Sequence, residues 1–132
     1  MRSSADDVRA LYEAFGRGDV PAVLGAFDPQ ISWSEADNFL YADGNPYIGP
    51  EAVAGGVFQR IVSDVDGFAV VPERFVDGGE TVVVEGRYRG TMKATGTPVN
   101  AQFAHVWTFR DGKIVRFQQY TDTRQWADAA GR

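Results

Sequence analysis

From Phe68 to Asp122 the chain reads as strands in four runs: Phe68 to Val76, Thr81 to about Lys93, Val99 to Arg110, and Lys113 to Asp122. Between them stand Asp77-Gly78-Gly79, Thr95-Gly96-Thr97-Pro98 and Asp111-Gly112. Period-2 patterning bounded by such turn residues predicts strands joined by hairpins. Consecutive hairpins leave no room for the crossover helices of a βαβ parallel sheet, so this half of the chain is expected to form one antiparallel meander. Gly86 and Gly90, inside the second run, predict bulges that curve it.

The first half has a different period. Val8, Leu11, Tyr12 and Phe15 recur at helical spacing, with Ser4 and Asp7 placed as a capping box and Gly16 and Gly18 as the stop. Asp19 is placed to cap a second short helix, with Pro21 in its first turn and Val23, Leu24 and Phe27 on its apolar side, ended by Asp28-Pro29. Pro50 opens a third through about Ser63, turning Val53, Val57, Phe58 and Ile61 inward. The residues after Thr123 read as a short tail with one anchor, Trp126. The expected fold is therefore α+β, three N-terminal helices packed on a curved antiparallel sheet. The length of 132 residues fits one domain spanning 1–132.

Composition narrows the chemistry. With no cysteine and a single histidine, His105, one chain cannot build a thiolate site, a Cys-based zinc site or any site that needs two imidazoles. A net charge of -5 disfavours nucleic acid and anionic lipid as partners. No apolar run approaches the roughly 18 residues of a spanning helix, and none follows Met1-Arg2 as a leader would, so a cytoplasmic protein is expected.

Two titratable residues fall on apolar faces. Glu35 shares phase with Ile31 and Trp33, and His105 sits in the odd-numbered series Val99, Ala101, Phe103, His105, Trp107, Phe109. Burial raises a carboxylate's pKa and lowers an imidazole's, which places both where proton transfer is useful. They could instead pair with each other, or His105 could be a satisfied core residue. A three-residue turn at Arg110-Asp111-Gly112 would pair Phe103 with Gln119 and His105 with Phe117, putting Val115, Phe117 and Gln119 on the His105 face. A two-residue Asp-Gly turn would shift this register by one. The loop from Ala36 to Pro50 carries Phe39, Leu40, Tyr41 and Tyr47 and is placed to cover a site.

The expectation is one pocket holding Glu35 and His105. Trp33, Phe58, Phe103, Trp107, Phe117 and Gln119 would form its wall, with Tyr12, Tyr41 and Tyr47 as further ligand-contacting side chains. The mixed outer sheet face, with Gln102, Ala104, Val106 and Thr108 beside Arg87 and Arg89, predicts a homodimer.

This order of elements, with Ile31-Ser32-Trp33-Ser34-Glu35, the run from His105 to Ile114 and the following Tyr120-Thr121-Asp122-Thr123, resembles the SnoaL-like branch of the nuclear transport factor 2-like (NTF2-like) superfamily. The resemblance implies a cone in which helices roof a curved sheet over a deep apolar pocket, often paired through the outer sheet faces. Similarity to ketosteroid isomerase implies that Glu35 stands where that enzyme has its carboxylate base and His105 where it has a protonated aspartic acid. Its oxyanion tyrosine matches Leu11, with Tyr12 one residue on. Polyketide cyclases of the branch are similar in carrying a histidine at the His105 position. Their acidic residue belongs on the last strand, where Gln119 faces inward here. The implied activity is a cofactor-free, metal-free isomerase, cyclase or lyase that takes a proton from beside the carbonyl of a small apolar ligand. A non-catalytic pocket or dimeric scaffold is the other reading.

Overall fold

The computed structural model describes residues 3–132. Helix α1 (Ser4–Gly16) begins one residue earlier in its capping logic than the sequence suggests: Ser3 is the cap, its hydroxyl accepting from Asp6 N–H at 3.1 Å while the Asp6 carboxylate accepts from Ser3 N–H at 3.2 Å. Helix α2 (Val20–Gly25) is capped by Asp19 as expected. It stops before Phe27, which opens strand β1 (Phe27–Ser34), so Asp28-Pro29 lies in a strand and Phe27 is sheet core instead of helix face.

The following loop holds a 3-10 turn (Ala42–Gly44) and the short strand β2 (Tyr47–Ile48). Residues 50–64 then form one helical run, α3 (Pro50–Val53), a π-helical stretch (Ala54–Phe58) and α4 (Gln59–Asp64). It passes directly into β3 (Val65–Gly78), three residues sooner than the alternation indicates. The meander continues through β4 (Thr81–Met92), β5 (Pro98–Arg110) and β6 (Lys113–Thr121). The tail is helix α5 (Thr123–Ala129), capped by Asp122, which buries Trp126 completely against Phe39 and Tyr88.

Six strands form one sheet in the order β2-β1-β6-β5-β4-β3. The four-strand meander is antiparallel throughout, and β1 joins its β6 edge in parallel, placing Trp33 opposite Phe117. That parallel pair is absent from the sequence reading, because strands far apart in the chain carry no local mark of their pairing. The two rings stack with centroids 3.7 Å apart.

Curvature comes from β3, not from bulges in β4. The β3–β4 register slips between Asp66 and Ala69 and again between Pro72 and Arg74, opposite Gly90 and Gly86 respectively. A Cβ at Gly86 would strike the Val71 carbonyl and lie 2.7 Å from Phe103 Cζ, so glycine is what lets the bent strand close in.

The β5–β6 turn has two residues, Asp111 and Gly112, both at positive φ. On its own this would reverse the inward face of β6. A bulge at Val115 adds a second one-residue shift, since Phe109 pairs with Ile114 but Thr108 with Arg116. His105 therefore pairs with Gln119 and Trp107 with Phe117, two positions from the expected register but with the same parity. Phe117 and Gln119 point inward as expected, while Ile114 takes the buried place assigned to Val115. No helix among the described residues is long and apolar enough to cross a membrane.

Candidate functional site

The concave face of the sheet and the helices enclose an apolar cavity of about 60 Å³. Tyr12 and Leu11 reach it from α1, Trp33 and Glu35 from the end of β1, Phe58 from the π-helical stretch, and His105, Trp107, Phe117 and Gln119 from β5 and β6. The geometry thus brings Glu35 and His105 to one cavity. A wet cavity needs about 10–15 Å³ per water and benzene fits an apolar one of about 150 Å³, so a ring-sized ligand requires wall side chains to move.

One side chain expected in the wall, Phe103, and two expected as ligand contacts, Tyr41 and Tyr47, stand elsewhere. Phe103 lies behind His105, stacked on the imidazole at 4.0 Å and 14°. Tyr41 and Tyr47 pack the loop onto α4: Tyr47 Oη donates to the Tyr41 carbonyl at 2.6 Å and Tyr41 Oη to Asp64 Oδ2 at 2.7 Å. Arg60 grips the same loop through both oxygens of Asp43, at 2.7 and 3.1 Å, and covers the Tyr41 ring. Phe39 is the loop residue that reaches the cavity.

Tyr88 on β4 also lines the cavity and was missed because Arg87 and Arg89 flank it. The alternation that makes those arginines outward-facing places Tyr88 with Val82, Val84 and Gly86 on the buried face, and this was the available signal.

Glu35 and His105 do not bond to each other. Glu35 Oε2 accepts from Trp33 Nε1 at 3.2 Å, and Asn45 clamps the Glu35 backbone, accepting from its N–H at 2.9 Å and donating to its carbonyl at 2.8 Å. His105 is held at both nitrogens by tyrosine hydroxyls, Tyr12 at Nδ1 (2.6 Å) and Tyr88 at Nε2 (2.5 Å). Trp107 Nε1 donates to Tyr12 Oη at 3.0 Å and Gln119 Nε2 to Tyr88 Oη at 2.9 Å. Ala36 N–H, beside Glu35, donates to Gln119 Oε1 at 3.1 Å, so the backbone fixes which way that amide points.

Burial sets the protonation states. It pushes the Glu35 carboxyl up to about 8, only partly opposed by the Trp33 N–H and the Arg60 charge. It holds the His105 imidazole down at about 3, and it raises Tyr12 and Tyr88 well above the ordinary phenol. Near neutral pH the site holds a largely protonated carboxyl, a neutral imidazole and two neutral phenols. Because both His105 nitrogens are occupied, the imidazole acts on a ligand oxygen only through a tyrosine hydroxyl that it orients.

Comparison with known proteins follows the same lines. The sequence profile of the SnoaL-like domain matches residues 8–117. An NTF2-like protein from Burkholderia thailandensis is similar over 100% of this chain and 99% of its own, at 35% identity and a TM-score of 0.94. An NTF2-like protein of unknown function from Burkholderia pseudomallei is similar over the full length of both chains, at 30% identity and a TM-score of 0.89. TerC, co-crystallized with polyporic acid, shares the fold at 24% identity and a TM-score of 0.84, over 96% of this chain and 97% of its own. No curated protein matches.

Proposed function

The chain belongs to the SnoaL-like domain family, and from that premise we propose that it is a cofactor-free acid/base enzyme of isomerase, cyclase or lyase type acting on a small apolar carbonyl compound. One observation carries this reading: a carboxyl tuned to about 8 and a tyrosine–histidine–tyrosine chain face the same apolar cavity without neutralising each other. A structural pair would have been satisfied internally. Here Glu35 Oε1 has no protein hydrogen bond among the described residues.

In the proposed step, Glu35 in its ionised form takes a proton from the carbon next to the ligand carbonyl. The C–H electron pair moves into the enolate, and a tyrosine hydroxyl donates to the enolate oxygen. Glu35 then returns the proton to carbon. The apolar wall keeps competing water out and strengthens both interactions. Among the described residues no cationic side chain lines the cavity, which favours a neutral ligand over a carboxylate or phosphate. That small organic molecules are the ligand class accords with TerC, co-crystallized with polyporic acid.

The test is exchange of the α-hydrogens of small ketones in deuterated buffer, followed by NMR. Catalysed exchange that vanishes in Glu35→Gln supports the reading. Ligand affinity kept in Glu35→Gln with no exchange in the wild type would replace it with a binding module.

A further inference from the structure

The hydrogen-bond chain Trp107–Tyr12–His105–Tyr88–Gln119 allows its hydrogens to be counted. Its ends are fixed, because an indole N–H only donates and the Gln119 amide is oriented by Ala36 N–H. Both tyrosine oxygens therefore accept from the outside. Between them lie two contacts, one at each ring nitrogen of His105. Three hydrogens are available for these two contacts: one on each hydroxyl and one on the neutral imidazole. One is left over.

We propose that Tyr12, His105 and Tyr88 form a single-donor device in which one tyrosine at a time presents its hydroxyl hydrogen to a ligand oxygen, and the tautomer of His105 decides which. When Nε2 carries the hydrogen, His105 donates to Tyr88, Tyr12 donates to Nδ1, and the Tyr88 hydroxyl hydrogen is free for the cavity. When Nδ1 carries it, His105 donates to Tyr12, Tyr88 donates to Nε2, and the Tyr12 hydrogen is free. The two arrangements have the same composition and charge. Both tyrosines line the cavity, and no described residue accepts the spare hydrogen of either. Among the other polar groups of the wall, the Trp33 and Trp107 indoles already have partners, Gln119 has one at each end of its amide, and Glu35 keeps Oε1 without a protein partner among the described residues.

The consequence is a ligand class: a neutral compound offering one hydrogen-bonding oxygen to the tyrosine pair. A second acceptor oxygen could not be served by the other tyrosine, because that would leave a ring nitrogen of His105 unbonded. The ligand class rests on the carbonyl reading above; the hydrogen count does not.

His105 is the chain's one histidine, so long-range proton–nitrogen NMR reports its tautomer without ambiguity. Cyclopentanone, a monocarbonyl without charge, serves as the probe for the wild type, Tyr12→Phe and Tyr88→Phe, each of which removes one hydroxyl. Saturating probe should shift the imidazole resonances of the wild type. Probe-bound Tyr12→Phe should show hydrogen on Nε2, and probe-bound Tyr88→Phe hydrogen on Nδ1. Each single variant should keep probe affinity within a few fold, and the double variant should lose up to roughly tenfold more. The same tautomer in both variants overturns the proposal, as does a wild-type ring that does not respond to probe. None of these measurements needs turnover. Opposite tautomers without ketone exchange would sink the enzyme reading and leave the device standing; exchange with one shared tautomer would do the reverse.

Discussion

His105 stands opposite Gln119 in the β5–β6 ladder, and both side chains end on the hydroxyl of Tyr88, at 2.5 and 2.9 Å. Gln119 also accepts from Ala36 N–H, so one amide ties the imidazole network to the backbone beside Glu35. The two halves of the site are mechanically joined though they share no direct bond.

Replacing that amide should therefore be costly. Gln119→Leu leaves the buried Ala36 N–H without an acceptor and Tyr88 without a donor, and an orphaned buried group costs about 1–3 kcal/mol. Urea unfolding is expected to show a loss of that size. A loss of only a few tenths would mean that water replaces the amide.

Stability should have a flat-topped pH profile. Glu35 rises from 4.5 to about 8 on folding, so its contribution is complete below about 4.5 and is lost as pH climbs through 8. His105 falls from 6.5 to about 3, so its contribution is complete above about 6.5 and is lost as pH drops through 3. Between 4.5 and 6.5 the two slopes cancel. Melting temperatures measured across pH should decline on both sides of that window. Glu35→Gln should remove the alkaline decline; an unchanged alkaline limb would show that Glu35 titrates as an ordinary carboxylate.

Arg60 acts on Glu35 through charge. Arg60→Met is expected to raise the Glu35 pKa above the wild-type value of about 8, read by carboxyl carbon NMR titration. A downward or absent shift would mean that solvent screens the guanidinium from the cavity.

Gly56→Ala should destabilise although it lies in a helical run, where alanine ordinarily gains about 1 kcal/mol over glycine. The new Cβ would meet the Tyr47 ring, which is buried and pinned by its bond to the Tyr41 carbonyl. Overpacking of this kind costs roughly 1–3 kcal/mol, so thermal melting should show a lower midpoint. A raised midpoint would show that Tyr47 swings aside freely.

The outer face of β5 presents half-buried Ala104, Val106 and Thr108. A homodimer through this face is expected from light scattering at micromolar concentration, with Val106→Arg giving monomers. A wild-type monomer mass would remove the dimer proposal.

Much of this architecture was legible in the chain. The periods of 3.6 and 2, the caps and the Asp-Gly turns placed three helices and four meander strands, because each of those signals acts within a few residues. The inward phase of Glu35 and His105 was legible for the same reason, whereas that of Phe117 and Gln119 holds only because the Val115 bulge offsets a turn one residue shorter than expected. Some details were one or two residues out: the capping box sits on Ser3 and Asp6, α2 ends before Phe27, and bulges expected at Gly86 and Gly90 lie in the strand opposite them.

What the sequence determined alone was which face most side chains of α1 and of strands β1, β4 and β5 take, since alternation along a strand or helix is a property of the local backbone. Which faces meet was decided only by the tertiary structure. The parallel pairing of β1 with β6 brought Trp33 onto Phe117, and the Val115 bulge carried Gln119 to His105. Pairing of β4 with β5 brought Tyr88 within reach of the imidazole, while packing on α4 kept Tyr41 and Tyr47 away from the cavity. These are contacts between residues as far apart in the chain as Trp33 and Phe117, and their geometry depends on summed twists, bulges and side-chain volumes that no short window of sequence contains.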